Sequence, residues 1–172
     1  MKNKYLIILS AILIVSCAKK TETRTSKNEN VSSYVDPFIG TGGHGHTYPG
    51  ATVPFGMLQV SLVNGISEWD WCSGYHYSDD VAIGFSHLSL SGTGIGDLAD
   101  ILFMPVNKAV DLSTNPISRD SIPYKSSYSH KNEKATPGYY QVFLENHNVN
   151  VELTTSKRTA YHKYTFKEGD TQ

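Results

Sequence analysis

An all-β architecture, an antiparallel β-sandwich, is what this sequence of 172 residues predicts, and three observations carry it. Turn formers are dense, with 14 Gly and 7 Pro. The last third alternates apolar and polar residues with period two, and no window holds a 3.6-residue apolar stripe long enough for a helix. A sheet with one apolar face must cover it, and a second sheet is the economical cover. The length allows one core, since domains cluster near ~100–150 residues. Hydrophobic residues make up 39% and charged residues 18%, a composition that is neither disordered nor coiled coil. Fifteen basic against sixteen acidic residues give a net charge of −1, which withholds the basic patch that nucleic-acid binding requires.

The first segment reads as an address. Lys2 and Lys4 precede an apolar run over residues 5–15, too short for the ~20 residues that span a bilayer but suited to a signal peptide. Ile14, Val15, Ser16 and Cys17 then form a loose bacterial lipobox, so residues 1–16 are expected to be a lipoprotein signal and Cys17 the acylated first residue of the mature chain. Acyl chains on one Cys, at ~0.8 kcal/mol per buried methylene, hold a soluble domain on a membrane. With Cys17 committed to lipid, Cys72 is the only other cysteine and no intrachain disulfide is expected. The rest of the segment 17–33 has almost no apolar side chain and reads as a flexible tether. The expected location is the bacterial cell envelope, periplasmic or at the outer-membrane surface. Basic Ala18-Lys19-Lys20 favours the periplasmic face.

The folded part is expected over residues 34–172. From Tyr34 to Asp100 the glycine- and proline-rich stretches cannot be helix, because each Gly costs ~1 kcal/mol there and Pro ~3. Short apolar pieces at 57–63, 81–85 and 101–106 have strand length and composition. Residues 108–136 are polar and read as a loop or excursion. Beyond them, Tyr140, Val142 and Leu144, then Val149, Val151 and Leu153, then residues 160–166 predict a meander of three strands, with turns at 145–148 and 155–158. The chain stops just after the third of these strands, which suggests a truncated product.

Three stretches could carry chemistry. Gly42-Gly43-His44-Gly45-His46 lacks the Lys of a phosphate loop, and its glycines let backbone approach a ligand. On a strand, His44 and His46 would project to one side. Two ligands do not make a site, so no metal is assigned to this chain. Glu68-Trp69-Asp70-Trp71-Cys72-Ser73-Gly74-Tyr75-His76-Tyr77 gathers both Trp residues beside acids and a His. A flat aromatic face next to hydrogen-bonding groups is what a sugar pocket needs, yet Trp69 and Trp71 at strand spacing would share a face and could equally be core. In the run 85–97, His87 and Asp97 stand too close in sequence for a Ser-His-Asp triad and lack its nucleophile elbow. His87 reads first as a structural histidine and Asp97 as a loop cap.

Taken in order, residues 34–41, the Gly42-Gly43-His44 loop, Tyr48-Pro49-Gly50-Ala51, residues 53–57, Trp71-Cys72-Ser73-Gly74-Tyr75-His76, Gly84-Phe85-Ser86-His87 and residues 90–94 together resemble the N-terminal domain of glycoside hydrolase family 92, the exo-acting α-mannosidases. The resemblance runs from Tyr34 to the end. It implies a β-sandwich followed by an (α/α)6-barrel domain, a calcium ion in the active site, and inverting hydrolysis of terminal α-linked mannose. It places the general acid, the water-activating carboxylates and the calcium ligands chiefly in the other domain, so no catalytic residue is expected here and the chain alone is expected to be inactive. Gly42, Gly43, His44, Trp71, Cys72, Tyr75 and His87 are the residues the resemblance assigns to the sugar pocket. One departure stands out: where the family commonly has a second His in this run, the chain has Ser89. The implied partners are a mannose-containing glycan, the missing catalytic domain and, through Cys17, a membrane. The alternatives are a non-catalytic carbohydrate-binding surface lipoprotein and a structural lipoprotein.

Overall fold

The alternation in the last third builds the principal sheet. In the computed structural model, which describes residues 30–65, 68–96, 99–113, 115–116 and 118–168, β6 (Tyr139–Leu144), β7 (Val149–Thr155) and β8 (Ala160–Phe166) form an antiparallel meander. Tyr140 faces Leu153, Val142 faces Val151 and Leu144 faces Val149. All six side chains are buried, each contributing ~1.5–3 kcal/mol by leaving water. A fourth strand, β5 (Glu133–Thr136), pairs with β6 and gives the order β5-β6-β7-β8. The polar excursion expected at 108–136 therefore ends in a strand.

The opposing layer is assembled from short pieces. β1 (Ser61–Val63) pairs antiparallel with β3 (Gly84–Ser86), and β2 (Val81–Ala82) with β4 (Ser126–Ser127). Isolated bridges join Ala51 to Val60 and Phe85 to Phe103. The expected strands at 57–63 and 101–106 thus shrink to Ser61–Val63 and a single bridge. Proline and glycine on either side leave few residues free to pair. Val60, Leu62, Tyr75, Ala82, Phe85 and Tyr128 from this layer share one core with the inner face of β6 and β7.

No α-helix occurs among the described residues; the only helical pieces are 3-10 turns of three or four residues. One, Val31–Tyr34, begins inside the segment expected to be tether. The signal peptide, Cys17 and Asp97 lie outside the described residues.

A buried polar network pins the two layers together. The Glu133 side chain, fully enclosed, accepts hydrogen bonds from Tyr75 Oη at 3.0 Å, Tyr140 Oη at 2.5 Å and His130 Nδ1 at 2.5 Å. Burial, with the nearby carboxylate second among the causes for Tyr140, pushes both phenols up, so they stay protonated donors. Asn64, also buried, donates to Tyr128 Oη, which in turn donates to the Asp79 carbonyl.

Candidate functional site

Three loops at one end of the sandwich converge. The first is the glycine-rich turn. Gly45 is required there by space: a Cβ on it would lie 2.0 Å from the Gly40 carbonyl oxygen. With the chain folded so tightly, Gly42 and Gly43 are exposed, His44 projects outward with 76% of its side chain accessible, and His46 turns inward.

The second loop is the 3-10 turn Trp69–Trp71. Its backbone is closed by Trp71 N–H donating to Glu68 O and Cys72 N–H to Trp69 O. Three residues per turn put side chains two apart ~120° from one another, so the two indoles diverge where a strand would have aligned them. Trp69 is 56% exposed and stands against the first loop, its ring 4.3 Å from that of His46, edge to face, and 5.0 Å from that of His44. Trp71 turns the other way, onto His76 at 4.4 Å, and its Nε1–H donates to Asp79 at 3.2 Å.

Asp70, between the two indoles, ties the loops together. His44 Nδ1–H donates to Asp70 Oδ1 at 2.7 Å, which holds the carboxyl below its ordinary range, burial opposing. That bond leaves Nε2 of His44 as the outward-facing nitrogen. His46 Nε2 lies 3.5 Å from the same oxygen, buried and without a hydrogen bond.

The third loop follows β3. Gly92 N–H donates to the His46 carbonyl at 2.7 Å, and a Cβ on Gly94 would sit 3.1 Å from Trp69 Nε1. Backbone thus approaches the indole edge closely. The result is an exposed aromatic face beside an imidazole oriented by a carboxylate, which can stack against the C–H face of a sugar and hydrogen-bond its hydroxyls.

The residues expected in the pocket divide. Gly42, Gly43 and His44 stand in this convergence. Trp71 is directed to its far side, and Trp69 takes the exposed place. Cys72 is fully buried with a free thiol, and Tyr75 is spent on Glu133. His87 is directed to β8, its Nδ1–H on the Ile101 carbonyl at 2.9 Å and its ring stacked on His162. Ser89 is buried, its Oγ 3.4 Å from Ser86 Oγ, so it offers no outward contact. No local pattern marks Asp70, because its partner is 26 residues away.

Residues 34–172 match the model of the glycosyl hydrolase family 92 N-terminal domain. The chain belongs to family 92. Its fold is similar to a GH92 α-mannosidase of Bacteroides thetaiotaomicron, BT3965, one structure of which is a complex with mannoimidazole: 41% identity, TM-score 0.75, covering 81% of this chain and 18% of that one. The GH92 glycosyl hydrolase ccman5 is 28% identical with a TM-score of 0.67, over 81% of this chain and 19% of that one. An uncharacterized secreted glycosidase of Arthroderma benhamiae is 28% identical over 146 residues, 83% of this chain and 18% of that protein. The family 92 chain described here therefore spans less than a fifth of the length of these relatives.

Among the described residues, no group of three or more His, Cys, Asp and Glu side chains is placed to hold a metal. Among these described residues, then, no carboxylate set is placed to hold the calcium that the family resemblance implies.

Proposed function

We propose that residues 34–172 form one wall of the mannose-binding pocket of an α-mannosidase and act with a further, catalytic domain. The observation that carries this reading is the Trp69–His44–Asp70 cluster, in which the glycine-rich loop shared with the family meets the turn that leads into the Trp71–His76 motif. Trp69 supplies the stacking face, and His44, turned by Asp70, presents Nε2 to a hydroxyl. Exposed Gly42 and Gly43 let the sugar reach the backbone.

Inverting hydrolysis needs two carboxylates ~6.5–9.5 Å apart with a water between base and anomeric carbon. In this reading those groups, and the calcium that would orient sugar hydroxyls, belong to the other domain, and the 172-residue chain alone does not turn over α-mannosides. Cys17, acylated, would hold the protein in the cell envelope.

Titration of the chain with methyl α-mannoside, followed by indole fluorescence and NMR, tests the pocket. We expect weak saturable binding that falls about tenfold in Trp69→Ala, the scale of losing one aromatic contact. Binding indifferent to Trp69 would reject this placement of the pocket.

A further inference from the structure

The outward face of the principal sheet carries charge of one sign. The alternation that buries Tyr140 and Val142 turns Gln141 and Phe143 outward on β6 and Asn150 and Glu152 on β7, and strand pairing sets Lys134 and Lys163 on either side of them. Lys131, from the 3-10 turn before β5, and Lys167, just past β8, join Lys134 around an open groove of about 610 Å³ over Gln141, Phe143 and Asn150. The floor is fixed: Gln141 Nε2 donates to Asn150 Oδ1 at 3.1 Å, and Lys167 Nζ stands 4.4 Å over the Phe143 ring.

The acids nearby are already engaged. Glu152 is held by Lys163 at 2.8 Å and by Tyr139 Oη, and Glu133, at the groove's edge, points its carboxylate into the core. Among the described residues, no carboxylate lies within ion-pair distance of Lys131, Lys134 or Lys167. Residues 34–172 hold nine Lys and Arg against fourteen Asp and Glu, so three unmatched ammonium groups are gathered on one face of an acidic domain. That arrangement attracts an anionic surface within a Debye length of ~10 Å. Tyr161, outward on β8 and 54% exposed, adds the kind of amphipathic ring that settles at the headgroup level of a bilayer. Three ammonium groups fall short of the roughly 6–10 phosphate contacts with which a protein tracks a nucleic acid.

We propose that this face is a membrane-docking surface, on which the three lysines meet the phosphates of anionic lipid headgroups and lay the domain against the bilayer that anchors it. The assignment rests on the acylated Cys17 proposed above. The tether read from the sequence has a root-mean-square reach of ~20 Å, so the anchored domain stays close enough for the charges to act. Each lysine near an anionic leaflet multiplies partitioning about fivefold, about a hundredfold for three. Docking of that strength sets orientation while the acyl chains hold the protein. None of these residues belongs to the loops that meet at Trp69, so the two surfaces work independently.

Cosedimentation with vesicles tests the face on the processed chain, residues 17–172 with Cys17→Ala, so that neither signal nor lipid contributes. The core, Phe38 to Phe166, is retained whole. We expect binding at low salt to phosphatidylcholine vesicles that contain phosphatidylglycerol, none to phosphatidylcholine alone, and release at about 0.5 M NaCl, where charge is screened. Lys134→Gln with Lys167→Gln should lower partitioning about thirtyfold, whereas Lys108→Gln with Lys125→Gln removes the same charge away from the face and should change it less than about twofold. Equal losses in the two pairs, equal binding to the two kinds of vesicle, or no binding to either overturns the docking face. Inorganic phosphate that fills the groove by NMR while vesicles stay unbound also overturns it. Mass spectrometry of the protein from the producing bacterium reads the anchor separately. An unacylated Cys17 rejects the anchor, and failed vesicle binding with Cys17 acylated rejects the face alone.

Discussion

The Nε2 atom of His87 lies 3.2 Å from Nε2 of His162, and the rings stack with centroids 4.9 Å apart. Because His87 gives its Nδ1 proton to the Ile101 carbonyl, its Nε2 accepts. His162 then donates from Nε2 and accepts from Tyr164 Oη at Nδ1, 2.9 Å away. In this arrangement the His162 ring is neutral.

Stability should therefore fall on acidification. Burial first, and His87 second, push His162 down to about 4, below the 6.5 of a free imidazole. Between those values the unfolded chain binds more protons than the folded one. The contribution is complete above about pH 6.5 and is lost as pH drops toward 4. The ring is partly exposed, so solvent screens it and the loss is about 1–2 kcal/mol. Urea unfolding at pH 7 and pH 4.5 checks this. His162→Gln should flatten the difference, and an unchanged slope in that variant would reject the relay.

Glu133→Ala is expected to destabilise by ~3–5 kcal/mol, since it strands the buried hydroxyls of Tyr75 and Tyr140 and the His130 donor. Glu133→Gln keeps one acceptor and should lose less. Denaturation midpoints of the two variants would rank them, and equal losses would mean that the carboxylate is only filling space.

Gly45→Ala should disturb the site more than the fold. Its Cβ collides with Gly40 backbone, so the loop must move and the His44–Asp70 bond opens. We expect a global cost of about 1–2 kcal/mol together with loss of methyl α-mannoside binding. NMR of the His44 ring reports the rearrangement directly.

Cys17→Ala should shift the protein from the membrane fraction to the soluble fraction of the producing bacterium. Retention in the membrane would reject lipidation as the anchor.

How much of this could be read beforehand follows from the range of each interaction. The β6-β7-β8 meander was legible because period-two burial is a local pattern: Tyr140, Val142 and Leu144 announce a face before any partner is known. β5 was not, because its inward residues are Ala135 and Glu133, and the burial of Glu133 depends on Tyr75, 58 residues away. The Trp69–Trp71 segment misled for a geometric reason. A strand and a 3-10 turn accept the same short sequence, and only the turn separates the rings. Cys72 and Tyr75 neighbour the site in sequence, and the same turn carries them inward.

The Gly40–Gly45 contact has an engineering consequence. The turn's shape is held by backbone against backbone, so the exposed imidazole at its tip is a removable fitting on a rigid mount. Exchanging His44 for Asn, Gln or Tyr should retool what the loop offers a ligand and release Asp70 from its partner while the turn keeps its shape, whereas His46, 7% exposed and packed on Trp69, has no such freedom.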